Sequence, residues 1–433
     1  MNSIAASAVA LACVGLSLLP RRWAFLPLLL GVCYVPFYLG LQLGALNFTA
    51  VRLLVAVGVL RLVLRGEWPP RPSPYLDRAI ALFAAWLVLS GLFHEQPLNA
   101  TVFRLGLAYD ALGVYFIARC LCASMEDVIR MAQLIALALV PLAIAMLYEK
   151  FTASNPFAVL GGVGEYSMTR IGRVRANGPF GHPILAGTTG AVFLPMMMGL
   201  WALNRKLAAA GVIACVAIVF ASASSGPILS MLAGLAAVVI WRFRAHIRLL
   251  LVLAVLVYIL LDLVMKDPAY FLIARVDLAG GSTSWYRARL IQSAFEHLPE
   301  WWLTGTDRTS HWMWVVMKWS KAHTDITSHY IQLGVWGGLP LIFLFGLVLY
   351  RGFVSISPAL RWRALSRQHA FLIWTVGCSL FAIAVTGFSV SYFDQSSAFL
   401  YVTLGILGSI ASFVPRSSRR ARQSTTTPVE RMA

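Results

Sequence analysis

The sequence predicts an all-α polytopic integral membrane protein, with about 12–13 transmembrane helices and one large loop outside the bilayer. The first observation behind that reading is composition. Hydrophobic residues make up 59% of the 433 residues and charged residues only 12%, with a mean hydropathy of +0.77. Soluble domains carry roughly 25% charged residues, and a soluble fold of this length could not cover its surface with so few polar groups. The second observation is that apolar runs of about 20 residues, each able to cross ~30 Å of hydrocarbon as a helix, recur from end to end. The third is the placement of basic residues, which alternates from one junction between runs to the next.

Taken in order, cores at 3–20, 23–43, 46–64, 76–93, 102–122 and 128–148 form an N-terminal set of membrane helices over 1–148. A first outer loop covers 149–180. Cores at 181–203, 207–223, 225–241 and 247–265 make a central set over 181–265, and a larger outer loop follows over 266–328. Cores at 329–350, 369–389 and 395–414 make a C-terminal set over 329–414, with a basic tail at 415–433. No internal repeat is visible.

Lys and Arg number 35 against 17 Asp and Glu, a net charge of +18 with His neutral. Such a balance suits nucleic acid where Lys and Arg cluster with aromatics on a soluble module. The chain has no such module, so no nucleic-acid partner is expected. Topology accounts for most of the excess. Alternate junctions carry Arg21 and Arg22, then Arg61, Arg65, Arg71 and Arg78, then Arg119 and Arg130, then Arg205 and Lys206. The series continues through Arg242, Arg244 and Arg248 to Arg351, Arg361, Arg363 and Arg367. It ends in the tail at Arg416, Arg419, Arg420, Arg422 and Arg431, so this side holds 22 of the 35 basic residues. The intervening short junctions hold little beyond Arg52 and Arg104 at span edges. Because positive residues stay cytoplasmic, the tail is expected in the cytoplasm, as a membrane-surface anchor, and the N-terminus outside. The remaining 11 basic residues lie in the two long outer loops, which the positive-inside rule does not govern. Those loops are where chemistry is to be sought.

Several other residues receive structural roles. Cys13, Cys33, Cys120, Cys122, Cys215 and Cys378 lie in or beside apolar runs, without zinc or disulfide spacing, and read as small helix-packing residues. Arg21 and Arg22 follow the first apolar run, so no cleaved signal peptide is expected. Asp110, inside a span, is expected to partner Arg104 or face a cavity. Ser222, Ser224 and Ser225 suit a small-residue helix contact better than a nucleophile.

The first outer loop ends in Arg170-Ile-Gly-Arg173-Val-Arg175-Ala-Asn-Gly178-Pro-Phe-Gly181-His182-Pro183. Guanidinium forks grip phosphate bidentately, so three arginines beside a Gly/Pro turn suit a diphosphate at the membrane surface; lipid headgroups would be held by the same residues. The second loop carries Gly280-Gly-Ser-Thr-Ser-Trp285-Tyr286-Arg287-Ala-Arg289 and a helix-like stretch to Glu296. Beyond it come Trp301, Trp302, Gly305, Asp307, Arg308, His311, Trp312 and Trp314. Rings beside polar donors serve sugar binding, and they equally form an interfacial belt.

Lys321-Ala-His323-Thr-Asp325-Ile-Thr-Ser328-His329-Tyr330 then leads into a span, placing His329 in the first turn or two of a helix whose N-terminus faces outward. Thr324, Asp325, Thr327 or Ser328 is expected to cap that helix. The positive end of the helix dipole disfavours imidazolium, so a neutral His329 suits a general base acting on a sugar hydroxyl. The bland alternative is an interfacial histidine that merely packs. His323, Asp325 and His329, at spacings of two and four, match no firm metal signature, and no metal or other cofactor is expected.

Four segments, in this order, resemble those of one known family. Arg175-Ala-Asn-Gly178-Pro-Phe-Gly181-His182-Pro183 is similar to the Arg-x-x-Gly-x-Phe-x-His/Asn-Pro segment of the O-antigen ligase and O-antigen polymerase family. Ser222-Ala-Ser-Ser-Gly226 resembles its later serine–glycine turn. Leu303-Thr-Gly305-Thr-Asp307 stands where the family has Pro-Leu-x-Gly-x-Gly, with Asp307-Arg308 replacing the usual glycines. His329-Tyr-Ile-Gln-Leu-Gly334-Val-Trp-Gly337-Gly338 resembles its histidine-led signature, with Ser328 before the histidine where Asn often follows it. The matching region covers roughly 165–350.

The resemblance implies a multi-pass protein of the bacterial inner (cytoplasmic) membrane, with periplasmic loops, in surface polysaccharide synthesis such as that of O-antigen or exopolysaccharide. It implies an inverting, metal-independent glycosyltransferase acting on a glycan linked to undecaprenyl diphosphate. The glycan passes to an acceptor glycan in a polymerase, or to lipid A-core in a ligase. Carried over residue by residue, Arg175 matches the first motif's arginine, Arg287 the large-loop arginine and His329 the histidine, which makes these three the expected catalytic residues. Arg173, Arg289, Asp307, Arg308, His311 and Asp325 are the expected substrate-binding residues. The competing reading is a transporter or flippase of lipid-linked oligosaccharide. Carriers place their sites near the midplane, often in repeated halves, whereas here polar content gathers in one outer loop.

Overall fold

A computed structural model of the protein describes residues 1–44, 46–69, 73–275, 284–313, 324–362 and 364–413. The tail with Arg416, Arg419, Arg420, Arg422 and Arg431 lies outside the described residues, as do Arg71, Gly280, Trp314, Lys321, His323 and Arg363. The chain is about 74% helical with almost no sheet. The N-terminal set comprises α1 (Ser3–Leu18), α2 (Phe25–Tyr34), α3 (Ala50–Arg65), α4 (Pro74–Leu89), α5 (Pro97–Leu121) and α6 (Met125–Thr152). The central set is α7 (Pro183–Gly199), α8 (Arg205–Ser222), α9 (Ser225–Val239) and α10 (Ile247–Val264). The large loop contains α11 (Ser284–Glu296) and α12 (Leu298–Trp301). The last set is α13 (His329–Ser355), α14 (Ser357–Leu360), α15 (Arg367–Thr386) and α16 (Ser397–Phe413). Among the described residues, seven helical stretches are long and apolar enough to cross a membrane, and α1, α2, α7 and α16 are shorter apolar helices.

Each predicted apolar run contains a helix, but two differ from expectation. Over 23–43 the helix stops at Tyr34, because Val35 precedes Pro36 and the residue before a proline resists the helical region. The chain then makes an antiparallel hairpin of β1 (Gly40–Leu43) and β2 (Leu46–Thr49), with Gly40 opposite Thr49. The start of the predicted 46–64 span is therefore strand. Thr49 ends it by capping α3, accepting the Arg52 amide.

Nearly every side chain of α7 is buried, and it packs against α8, α9 and α15; α6 lies on α8, α4 on α13, and α5 on α16. Small residues allow the close approach that membrane helices use in place of a hydrophobic driving force. Gly190 faces the Cys215 carbonyl, Gly211 faces Met197, and Gly199 faces Thr375. No side chain of α10 is buried. The six cysteines are free thiols, five of them buried. Several charges inside the helices are paired, since an unpaired charge in hydrocarbon is costly. Asp110 takes Arg52 at 3.2 Å rather than the expected Arg104. Arg61 forks onto Glu67 with two bonds of 2.8 Å, and Arg119 pairs with Asp77.

One helix is broken. Gly337 and Gly338, at φ −154° and 70°, interrupt α13. The freed backbone groups are satisfied by other parts of the protein. Trp86 Nε1 donates to the Gly337 carbonyl at 2.8 Å, the Leu339 amide donates to Trp302 O at 2.7 Å, and the Thr306 amide donates to Val335 O at 2.9 Å. Residues 302–306 of the large loop are thereby seated against the break.

Candidate functional site

The first loop forms a second hairpin, β3 (Met168–Arg170) with β4 (Arg173–Arg175), its turn at Ile171-Gly172 having positive φ at both residues. Arg173 is exposed at the start of β4, whereas Arg175 at its end is buried. The chain beyond is held from two sides. Glu149, near the end of α6, accepts the Asn177 amide at 3.0 Å and the Gly178 amide at 2.7 Å. On the other side the Ala176 amide donates to Ala221 O at 3.1 Å, and Arg175 Nη2 donates to Ser224 Oγ at 2.7 Å. The first and second motif segments therefore meet. His182 then serves as N-cap of α7, its Nδ1 accepting the Ile184 amide at 3.1 Å.

In the large loop, α11 buries Ser284, Arg287, Leu290 and Ala294, spaced as one face of a helix. Its aliphatic residues join Trp301, Trp312, Met313, Ile326, Ile331 and Val335 in a small core. Trp301 and Trp312 belong to that core, so neither the sugar-binding nor the interfacial reading describes them. Arg287 sits on the buried face, while half-exposed Arg289 faces Glu296 at 3.7 Å.

The junction between α15 and α16, residues 387–396, joins these pieces. The His329 amide donates to Gly387 O at 2.8 Å, and Arg287 Nε donates to Ser389 O at 2.9 Å. Asp394 accepts the Gly181 amide at 2.9 Å, Gln395 Nε2 donates to Pro179 O at 2.9 Å, and Gly226 faces Ser389 Oγ. Segments around 175–183, 222–226, 287 and 329 thus converge on one short turn. The expected side-chain capping of α13 does not occur. Ser328 occupies the N-cap position, but its hydroxyl donates to the Gly387 carbonyl at 3.3 Å instead of accepting an amide of the first turn. The His329 ring is buried edge-on between Phe345 and Tyr392, at 5.2 and 5.0 Å between ring centres. Its Nδ1 has no hydrogen-bond partner among the described residues, and neither does Arg175 Nε.

Electrostatics follow from this crowding. Burial lowers the Arg175 guanidinium from its ordinary value, and nearby Arg170 and Arg287 lower it further. Arg287 is lowered by burial and by Arg170, with Asp325 opposing. Burial, and then Arg175, Arg170 and Arg287, push the His182 imidazole down to about 4. Burial raises the Asp394 carboxyl against the pull of its hydrogen-bond donors, the Ser396 and Gly181 amides among them. The group is richer in cation than in anion, and buried guanidinium groups that repel one another are suited to a multiply charged anion.

The other expected residues are placed differently. Asp307 accepts from the Glu95 amide at 2.7 Å and lies 2.6 Å from His94 Nδ1, while Arg308 pairs with Glu95 at 2.7 Å. Arg104 stands 2.6 Å from the far nitrogen of the same imidazole. Burial raises the Asp307 carboxyl, but its hydrogen bonds with His94 and Glu95 outweigh this and hold it below the ordinary value. These residues clamp the junction before α5 to the segment seated in the break of α13. His311 faces Glu300 at 3.0 Å. Asp325 is exposed, its backbone carbonyl receiving the Tyr286 hydroxyl at 2.9 Å. Among the described residues, the group able to hold a metal is His297, Glu300 and His311, in the large loop. Sequence reasoning passed over Glu149, Ser389, Asp394 and Gln395. The signal that could have found the last three was the polar run Ser389-Val-Ser-Tyr-Phe-Asp394-Gln395-Ser396 in a junction too short to need it. In comparisons with known proteins, no family model and no curated protein matches the chain.

Proposed function

We propose that the chain is a polytopic inner-membrane glycosyltransferase with about 12–13 membrane helices, transferring a glycan from undecaprenyl diphosphate at the periplasmic face in surface polysaccharide synthesis. The observation that carries the reading is that the segments bearing buried Arg175, buried Arg287 and His329 are joined around the 387–396 turn, with mutually repelling guanidinium groups on two of them and an unpartnered imidazole nitrogen on the third.

In the proposed reaction, His329 removes the proton of an acceptor sugar hydroxyl. The freed oxygen attacks the anomeric carbon opposite the diphosphate, the bond from that carbon to the phosphate oxygen breaks, and its electron pair leaves with the diphosphate. Configuration inverts. Arg175 and Arg287, already fixed by Ser224 and Ser389, stabilise the charge that develops on the leaving group without having to move. The aromatic walls around His329 keep water from the base. Arg170 and Arg173, nearer solvent, supply further positive charge to the lipid-linked donor. No step calls on a metal.

The carrier reading is less well supported. Carriers use broken helices to line a midplane cavity, but the freed groups at the Gly337–Gly338 break are satisfied by Trp86 and Trp302. Purified protein in liposomes, given a lipid-diphosphate glycan and acceptor without any gradient, is expected to release undecaprenyl diphosphate. Movement of intact donor across the bilayer without bond cleavage would overturn the proposal. Deletion in the native host then separates the two acceptor classes: shortened chains mark a polymerase, and full-length polymer left on its carrier marks a ligase.

A further inference from the structure

We propose that His297, Glu300 and His311 form a binding site for one divalent transition-metal ion of the zinc class, which braces the large loop. The ligand-bearing atoms of the three residues all lie within 4.8 Å of one another. His311 Nε2 is 3.0 Å from Glu300 Oε2, and the His297 and His311 rings stand edge-to-face with centres 4.7 Å apart. In a tetrahedral zinc site, with ligands near 2.1 Å from the ion, donor atoms sit about 3.4 Å apart, so small side-chain rotations close the set. Two imidazoles and one carboxylate suit zinc and its neighbours rather than magnesium or calcium, which take all-oxygen shells.

The surroundings are those of a supported site. His297 Nδ1 lies 2.8 Å from the Ser293 carbonyl, which makes Nδ1 the protonated nitrogen and leaves the Nε2 lone pair for a metal. Trp312 Nε1 donates to Glu300 Oε2 at 3.3 Å, and the Trp312 ring stacks on His297 at 5.7 Å. Ser293 Oγ donates in turn to Trp312 O at 2.6 Å, so the buried framework of the loop orients both ligands. Glu300 and His311 are exposed, which leaves an approach for the ion and a fourth coordination position open to solvent.

The consequence is mechanical. His297 directly follows α11, Glu300 lies in α12, and His311 lies beyond the 302–306 segment seated against the break of α13. An ion bridging His297 and Glu300 to His311 closes the chain around that segment. It touches neither Arg287 nor His329, so the inference stands independently of the glycosyl-transfer reading.

The test uses full-length protein in detergent, purified without a histidine tag, stripped with EDTA and dialysed. Zinc alone is titrated by calorimetry, and bound metal is counted by mass spectrometry. One zinc per chain is expected, with no binding of magnesium or calcium, and zinc should raise the melting temperature by roughly 2–4 °C. His297→Ala and His311→Ala should each weaken binding at least about 100-fold and abolish the thermal gain, and Glu300→Gln should weaken it about 10-fold. Melting of each metal-free variant alongside the metal-free parent identifies any that fails to fold, and Glu300→Gln, at an exposed side chain, keeps the test open if a histidine variant does. No zinc bound above the level of a general surface ion, or equal zinc binding by the His297→Ala/His311→Ala double variant, overturns the proposal.

Discussion

Arg287 donates from Nε to the backbone carbonyl of Ser389 at 2.9 Å, across 102 positions of sequence, and so fastens the large loop to the turn between the last two helices. That bond engages Nε, and in the proposed reaction the terminal nitrogens meet the phosphate oxygens of the leaving group. Replacing Arg287 with Ala is expected to lower glycan transfer at least about 100-fold. Lys, which keeps the charge but cannot form both the Ser389 bond and a bidentate grip, should restore only a small part of it. Glycan-ladder gels on membranes holding equal amounts of protein check both outcomes.

Ser224 makes a smaller contribution of the same kind. Its hydroxyl receives Arg175 Nη2 at 2.7 Å in a buried setting. Ser224→Ala removes one net hydrogen bond, about 0.5–1.5 kcal/mol, so transfer is expected to fall roughly 2- to 10-fold while the guanidinium keeps its charge. Initial rates on a purified lipid-diphosphate donor measure this.

His182 ties acid sensitivity to helix capping. Its folded imidazole is pushed down to about 4, while in the unfolded chain it titrates near ~6.5. Between those values the unfolded chain binds more protons, so stability is fully present above pH ~6.5 and is lost as the pH falls towards 4. Protonation also removes the Nδ1 acceptor that caps α7. His182→Asn keeps a capping oxygen without titrating. Its melting temperature should therefore fall less than that of the parent between pH 7.5 and pH 5.

The break in α13 predicts a contrast within one helix. A Cβ on Gly338 would collide with the Leu303 carbonyl, and its φ of 70° is strained for any side chain. Gly338→Ala should cost about 2–4 kcal/mol. Gly346 lies in the same helix, and a methyl group added there would meet nothing within 4 Å, so Gly346→Ala should be neutral or stabilising by up to about 1 kcal/mol. Melting temperatures of the two variants in one detergent decide it.

Much of the helical framework was legible because apolar length and charge alternation are local properties of sequence. The hairpin at 40–49 was not, since its leucines and Phe48 extend the apolar runs on either side and Pro36, Gly40, Gly44 and Asn47 are too scattered to outweigh them. In the candidate site, Arg175, Arg287 and His329 were readable as residue types suited to phosphate and proton transfer. What joins them was hidden. Ser389 and Gly387 act through backbone carbonyls, which leave no trace in residue identity, and Glu149 acts as a receptor for loop amides from the end of an apolar run. Asp307 and Arg308 illustrate the converse case. Their charges suggested substrate, yet their partners His94 and Glu95 lie more than 200 positions earlier in the chain, a pairing no spacing rule reveals.

The most direct measurement is glycan transfer by the Arg287→Ala/His329→Ala double variant, assayed as ladder formation in membranes where its insertion matches the parent. Ladder extension should be abolished while the protein remains inserted at parental levels. A double variant that still extends the ladder would contradict the assignment of charge stabilisation to Arg287 and proton removal to His329.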